Sequence, residues 1–362
     1  MAPPKPGIIP LRPLQFGEIL DGAFQTIRRN AAAMVGSALI FQAVSQVLLG
    51  FVSVAMLQTA ESLDSVQSRA ELNVIMGPLL GLMAGTLGIA VLTGFLGSVL
   101  QGVLVVPVSR SVLNRRTGFK QMWKLAAGRM WRLLGAASLL TFGGLLAIGA
   151  VVGIAVVLLM SMGPIAFAIV APLWLGALAA YLWIALKLMF APAAIVVERL
   201  GIYDGLLRSW QLTKNSWWRI FGITLVVNLM VGIIANVVQI PVSLAAGGIG
   251  SFVSPHADLA SNSSALLLTT VISTVVGVLV GSVTFSFQTS VSALIYMDLR
   301  MRRDGLDVEL MRLMETGGDA DGVPGAPSGT AGVGPWPLHG PPWPSDGGQQ
   351  PGPQQRGPWP QA

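Results

Sequence analysis

Six long apolar stretches dominate this sequence, at about residues 31–57, 77–108, 133–160, 164–186, 220–242 and 266–297. A bilayer hydrocarbon core of about 30 Å takes about 20 helical residues to cross, and each stretch reaches that length. Lipid offers the backbone no hydrogen-bond partners, so a segment of this kind must satisfy itself as a helix. The expected fold class is therefore all-α: a polytopic membrane protein with six transmembrane helices. Composition agrees, since 53% of the 362 residues are hydrophobic and 10% charged, against roughly 25% charged in an ordinary soluble domain. A soluble enzyme of ordinary type is excluded. The second and sixth stretches exceed one crossing and are expected to tilt, bend or emerge.

The basic residues are sorted between the connections. Of 22 Lys and Arg, 21 lie before the first stretch, between the second and third, between the fourth and fifth, or after the sixth. The remaining connections hold Arg69 with Glu61, Asp64, Glu71 and Asp258. Cytoplasmic loops carry the excess of Lys and Arg, so the expected location is the cell membrane, multi-pass, with both termini cytoplasmic. The opening MAPPKPGIIPLRPL has no apolar run before the first stretch, which argues against a cleavable signal peptide.

Three basic-side segments resemble one another: 17–30 (GEILDGAFQTIRRN), 118–131 (GFKQMWKLAAGRMW) and 201–215 (GIYDGLLRSWQLTKN). Each begins with Gly, carries apolar residues at helical spacing and precedes an apolar stretch. The apolar stripes are Phe16, Ile19, Leu20, Ala23, Phe24 and Ile27; Phe119, Met122, Trp123, Ala126 and Met130; and Tyr203, Leu206, Leu207 and Trp210. The first and third also share Asp-Gly, at Asp21-Gly22 and Asp204-Gly205. The simplest reading is an interfacial elbow helix followed by a membrane hairpin, repeated three times in parallel. A fourth elbow at 305–314 closes the array. The expected organisation is an N-terminal segment with its elbow at 1–30, a six-span domain at 31–297, an amphipathic helix at 298–315, and a disordered tail at 316–362. That tail holds 11 Pro and 12 Gly in 47 residues and three Pro-Trp-Pro triplets, each a candidate docking knob for a protein partner.

Three motifs then carry a family resemblance: residues 10–24 (PLRPLQFGEILDGAF), 207–219 (LRSWQLTKNSWWR) and 296–310 (YMDLRMRRDGLDVEL). In this order they resemble the actinobacterial glycerophosphoryl diester phosphodiesterase membrane-domain family, multi-pass proteins of unknown function. The resemblance covers roughly residues 10–315 and implies a six-span membrane domain. In fused members the phosphodiesterase activity belongs to a separate soluble barrel, which the tail is too short to hold. The expectation is thus a protein that is not an enzyme.

The residues themselves offer little chemistry. There is no Cys; His256 and His339 fall on opposite predicted sides, so neither metal nor cofactor is expected. The candidate lipid-headgroup contacts are Arg115, Arg116, Lys120, Lys124, Arg129 and Arg132, which with Arg110 form a run without an acidic neighbour, and Lys187. Lys187 is expected to snorkel to the interface or to pair with Glu198. Anionic inner-leaflet lipids are the expected partners, because such clusters gain about 1 kcal/mol per near-surface charge. Nucleic acid is not expected. The candidate intramembrane polar residues are Asn228, Asn236, Gln239 and Gln288, joined by Gln42, Gln46 and Gln101, all expected to point inward. Glycine pairs at Gly77/Gly81/Gly85, Gly149/Gly153 and Gly277/Gly281 favour packing within the chain over dimerisation. Two functions stay open: a non-catalytic scaffold or lipid-interacting factor in envelope or phospholipid homeostasis, or a carrier or flippase-like transporter. A membrane-embedded hydrolase lacks its residues.

Overall fold

The computed structural model describes residues 7–64, 69–253, 263–316 and 322–325. The chain divides into two units, Met1–Ala326 and Pro327–Ala362, and all described residues belong to the first. The Pro-Trp-Pro triplets lie outside the described residues.

Among the described residues every regular element is helical. In chain order these are α1 (Phe16–Arg29), α2 (Ala31–Asp64), α3 (Arg69–Val112), α4 (Phe119–Ala127), α5 (Met130–Met162), α6 (Phe167–Leu188), α7 (Ala191–Val197), α8 (Ile202–Thr213), α9 (Trp217–Val253), α10 (Ser263–Asp304) and α11 (Leu306–Thr316). Six helices among the described residues are long and apolar enough to cross a membrane, at Ala31–Met56, Met76–Val112, Met130–Met162, Phe167–Val197, Trp217–Val242 and Thr270–Asp304. The order short helix, long pair recurs with α1, α4 and α8 as the short members. α11 follows the last long helix across Gly305, whose φ of 66° is the left-handed turn that glycine allows.

The long helices run further than single crossings. α3 has 44 residues with Pro78 and Pro107 inside it, and α10 has 42. The sixth span therefore does not end at residue 297: it continues to Asp304, and the amphipathic helix begins at Leu306, not at 298. The ordered body also extends past the expected start of the tail. Val323 is buried, and the carbonyls of Gly322 and Gly325 accept from Arg110 Nη1 (2.9 Å) and Arg300 Nη1 (2.8 Å).

α10 lies at the centre, packed against α1, α2, α3, α9 and α11. The main core sits at the end of the bundle that carries the short helices. It gathers Ile8, Ile9, Leu14 and Ile19 with Leu104, Met122, Leu133, Phe190, Ile195, Leu294 and Tyr296. At the opposite end, among the described residues, a small cluster forms, Ala155, Ala166 and Val170 around the α5–α6 turn. Long stretches of α5, α6 and α9 between these ends present large apolar side chains outward, as helices solvated by lipid do.

The short helices dock through small residues. A Cβ on Gly22 would fall 2.8 Å from Ile9 Cγ2, and one on Gly205 only 2.5 Å from Ile195 Cγ1. That close approach explains the shared Asp-Gly pairs. In α8 the buried face is Gly205, Ser209, Leu212 and Thr213, whereas Tyr203 and Leu207 of the expected apolar stripe point outward. The hydroxyls explain the choice: Ser209 Oγ donates to the Lys187 carbonyl (2.7 Å) and accepts from the Phe190 amide (3.2 Å), satisfying the open end of α6.

The glycine pairs divide. Gly277 and Gly281 of α10 receive Gln46 and Gln42 of α2, whose amides would lie 3.4 and 3.0 Å from a Cβ placed there. Gly77, Gly81, Gly85, Gly149 and Gly153 have nothing within 4 Å of that position, so they do not mediate the packing within the chain expected of them.

Candidate functional site

The basic run splits into three groups once folded. Arg110 is buried: its Nε donates to Thr117 Oγ1 (3.1 Å) and its Nη1 to the Gly322 carbonyl. Arg116 and Lys120 are exposed, and Arg115 is half-buried beside the α3–α4 turn. Lys124, Arg129 and Arg132 come together around a recess of about 650 Å³, also lined by Gln121, Leu125, Gly128 and Arg199.

The local sequence explains the convergence. α4 ends at Gly128 after nine residues, and α5 begins at once from Arg129. The sharp corner turns Lys124 on one helix and Arg132 on the next toward the same opening. Arg129 Nη1 donates to the Leu125 carbonyl (3.1 Å), which closes the end of α4. Arg132 Nη1 donates to the Arg199 carbonyl (2.9 Å), which ties the corner to the α7–α8 connection. Arg199 itself has a φ of 60°, a left-handed conformation that costs a non-glycine residue about 1–3 kcal/mol.

Among the described residues no carboxylate lines this opening. Burial first, then the charges of Arg199 and Arg132, push the Arg129 guanidinium below its ordinary pKa. Each guanidinium has five N–H donors, and the carbonyl bonds of Arg129 and Arg132 leave most of them for a ligand. The arrangement can therefore hold an anion. Trp131, 83% exposed between Arg129 and Arg132, stands at the start of the third span, where indoles anchor at a membrane interface.

Lys187 is not part of this group and does not reach outward. It is 8% exposed, with Nζ 4.3 Å from the Trp210 ring and 4.9 Å from the Trp183 ring. The aromatic faces take the place of the expected snorkelling. Glu198 does not pair with it. That carboxylate binds Arg208 (2.9 Å), lies 3.5 Å from Arg300 and accepts from Tyr296 Oη. Asp304 pairs with the same two arginines. A second ionic cluster forms on Asp298, which accepts from Arg302 and the Leu14 amide and pairs with Arg219 (2.9 Å). Both clusters join distant parts of the chain, and local sequence patterns do not show them.

The intramembrane amides part company too. Gln288 Nε2 donates to Asn228 Oδ1 (2.8 Å), linking α10 to α9. Asn228 and Asn236 are exposed rather than inward, and each donates to a carbonyl one turn back, Thr224 and Gly232. That self-satisfaction lets an amide face outward at low cost. Gln239 is half-buried.

Arg199 was absent from the sequence candidates, although a signal exists. An Arg stands two residues before the elbow glycine at Arg116-Thr117-Gly118, Arg199-Leu200-Gly201 and Arg303-Asp304-Gly305. Among the described residues no group of three or more His, Asp or Glu could hold a metal ion. No curated protein and no solved structure matches the chain. Residues 14–299 do match a family model described as Domain of unknown function (DUF7847), which covers the first five spans and most of the sixth, and the chain belongs to that family.

Proposed function

We propose that this chain is a non-catalytic integral membrane protein that engages anionic lipid at its basic end, acting as a scaffold or lipid-interacting factor in envelope or phospholipid homeostasis. On this reading the basic end faces the cytoplasm, the side that the excess of Lys and Arg predicts. One observation carries the reading. Exposed aromatics on the elbow helices and span starts, Phe24, Trp131, Tyr203 and Trp218, share that end with the outward cations Arg116, Lys120, Lys124 and Arg132. Indole and phenol rings settle at headgroup level, and cations beside them attract anionic lipid. The resemblance to phosphodiesterase membrane domains is consistent with a lipid-facing role. The carrier alternative calls for amides along an internal path, and the outward Asn228 and Asn236 favour it less.

The test is the lipid that stays with the protein. Purified chain is exchanged into nanodiscs of phosphatidylcholine with phosphatidylglycerol, and the lipid retained after detergent extraction is weighed by mass spectrometry. Enrichment of phosphatidylglycerol above the bulk fraction supports the reading; retained lipid of bulk composition overturns it. Orientation is read separately in intact cells with an impermeant thiol reagent. Lys120→Cys stays unlabelled and Ser65→Cys reacts; the reverse pattern inverts the topology.

A further inference from the structure

We propose that the recess bounded by Lys124, Arg129, Arg132 and Arg199 is a binding site for a phosphomonoester, the dianionic group of a lipid headgroup or of a soluble phosphate. The proposal rests on the reading that the basic end meets anionic lipid, and it goes further by assigning one site and one chemical class.

Four cations from three separate elements meet there: Lys124 from α4, Arg129 and Arg132 from the start of α5, and Arg199 from the α7–α8 connection. Sorting of charge to one face of a membrane explains why these residues are basic. It does not explain why they converge on one opening, nor why Arg199 is held there in a left-handed backbone conformation. Elsewhere at this end several cations meet carboxylates, and the buried Arg110 and Lys187 meet other partners. Arg208 and Arg300 meet Glu198 and Asp304, and Arg219 and Arg302 meet Asp298. The recess gathers its four cations with no carboxylate among its described lining residues.

The chemistry selects the ligand. A single negative charge would leave most of this field unbalanced. A phosphomonoester carries close to two charges at neutral pH and three terminal oxygens, enough to meet two arginine forks and the Lys124 ammonium. A phosphodiester offers one charge and two free oxygens. The N-terminus of α5 adds its own favourable field for an anion, because Gly128 and Arg129 precede the first turn and both line the opening. The Gln121 amide supplies a neutral partner. The volume is of the order of small-molecule sites, about 300–1,000 Å³, and exceeds what the phosphate alone fills.

The experiment uses the full chain in phosphatidylcholine nanodiscs with equal mole fractions of phosphatidic acid and phosphatidylglycerol. Retained lipid is read by native mass spectrometry. The wild type is expected to hold phosphatidic acid about tenfold more strongly, the size of one lost charge-assisted contact. That preference grows as pH rises through about 6, where a phosphomonoester loses its second proton. Arg129→Gln with Arg132→Gln abolishes the preference, while Arg28→Gln with Lys214→Gln, exposed cations outside the recess, keeps it. Arg199→Gln, an exposed position outside the helices, guards against a folding defect and also weakens retention about tenfold. Inorganic phosphate distinguishes the source. Displacement of phosphatidic acid at comparable concentration identifies a soluble phosphate site, and failure to displace identifies the lipid headgroup; both keep the assignment. Equal retention of the two lipids overturns it while the leaflet reading stands, as does a double variant that behaves like wild type. Retention of neither lipid above bulk overturns both.

Discussion

The two ends of the six-helix body are built on different principles. At the basic end, short helices, ion pairs and large buried side chains interlock: Tyr296, Phe190, Met122 and Leu104 are all fully enclosed. Toward the other end the helices carry their apolar side chains outward, and among the described residues the buried cluster there is a small one at the α5–α6 turn. The spans are the more apolar in sequence, yet the main core forms at the basic end. What separates them is the solvent each one assumes. Where water and headgroups are near, exposed polar backbone and charge must be paired, so the chain builds a core. Where hydrocarbon surrounds the helices, an outward Leu costs nothing, so tight packing is not required. Stability should therefore concentrate in the basic half.

The sharpest way to break this comparison is to remove Asp298, whose side chain is 2% exposed among Arg219, Arg302 and the Leu14 amide. Asp298→Ala orphans the buried Leu14 amide and strips Arg219 and Arg302 of their carboxylate; one unsatisfied buried donor and two lost charge-assisted bonds are expected to cost about 3–5 kcal/mol, read as a large fall in the thermal midpoint in detergent. A matched pair follows. Leu104→Ala in the basic half should cost about 2–5 kcal/mol, while Leu146→Ala, 76% exposed on α5, should stay within about 0.5 kcal/mol; equal losses would erase the contrast. Gly7→Ala comes next. Its Cβ would sit 2.2 Å from the Val112 carbonyl oxygen, so the N-terminal segment must lift, at about 1–3 kcal/mol. Smallest is Asn228→Ala, which removes the bond from Gln288 and should cost about 0.6 kcal/mol, the mean for an interhelical hydrogen bond in a membrane.

The elements themselves were legible in the sequence, and the contacts between them at the basic end much less so. The six spans followed from apolar length, and the elbow helices from glycine plus helical spacing, because both are local properties. Packing partners are not. Glu198 looked available to Lys187 eleven residues away, yet Arg208, Arg300 and Tyr296 hold it. Lys187 found two tryptophans instead, one of them on α8. Glycine spacing marked close-packing faces without saying which are used: Gly277 and Gly281 are, and Gly77, Gly81 and Gly85 are not. For the recess, Lys124, Arg129 and Arg132 stood out as a run, but Arg199 lay on another connection, and only the fold brings it alongside.

The seating of Gln42 and Gln46 against the bare backbone of Gly281 and Gly277 has a consequence for biosynthesis. α2 emerges from the ribosome early and α10 more than two hundred residues later. Until then two carboxamides enter the bilayer without the surface that eventually shields them. The bundle is complete only when its last span slides in beside its first, so assembly order is written into that contact.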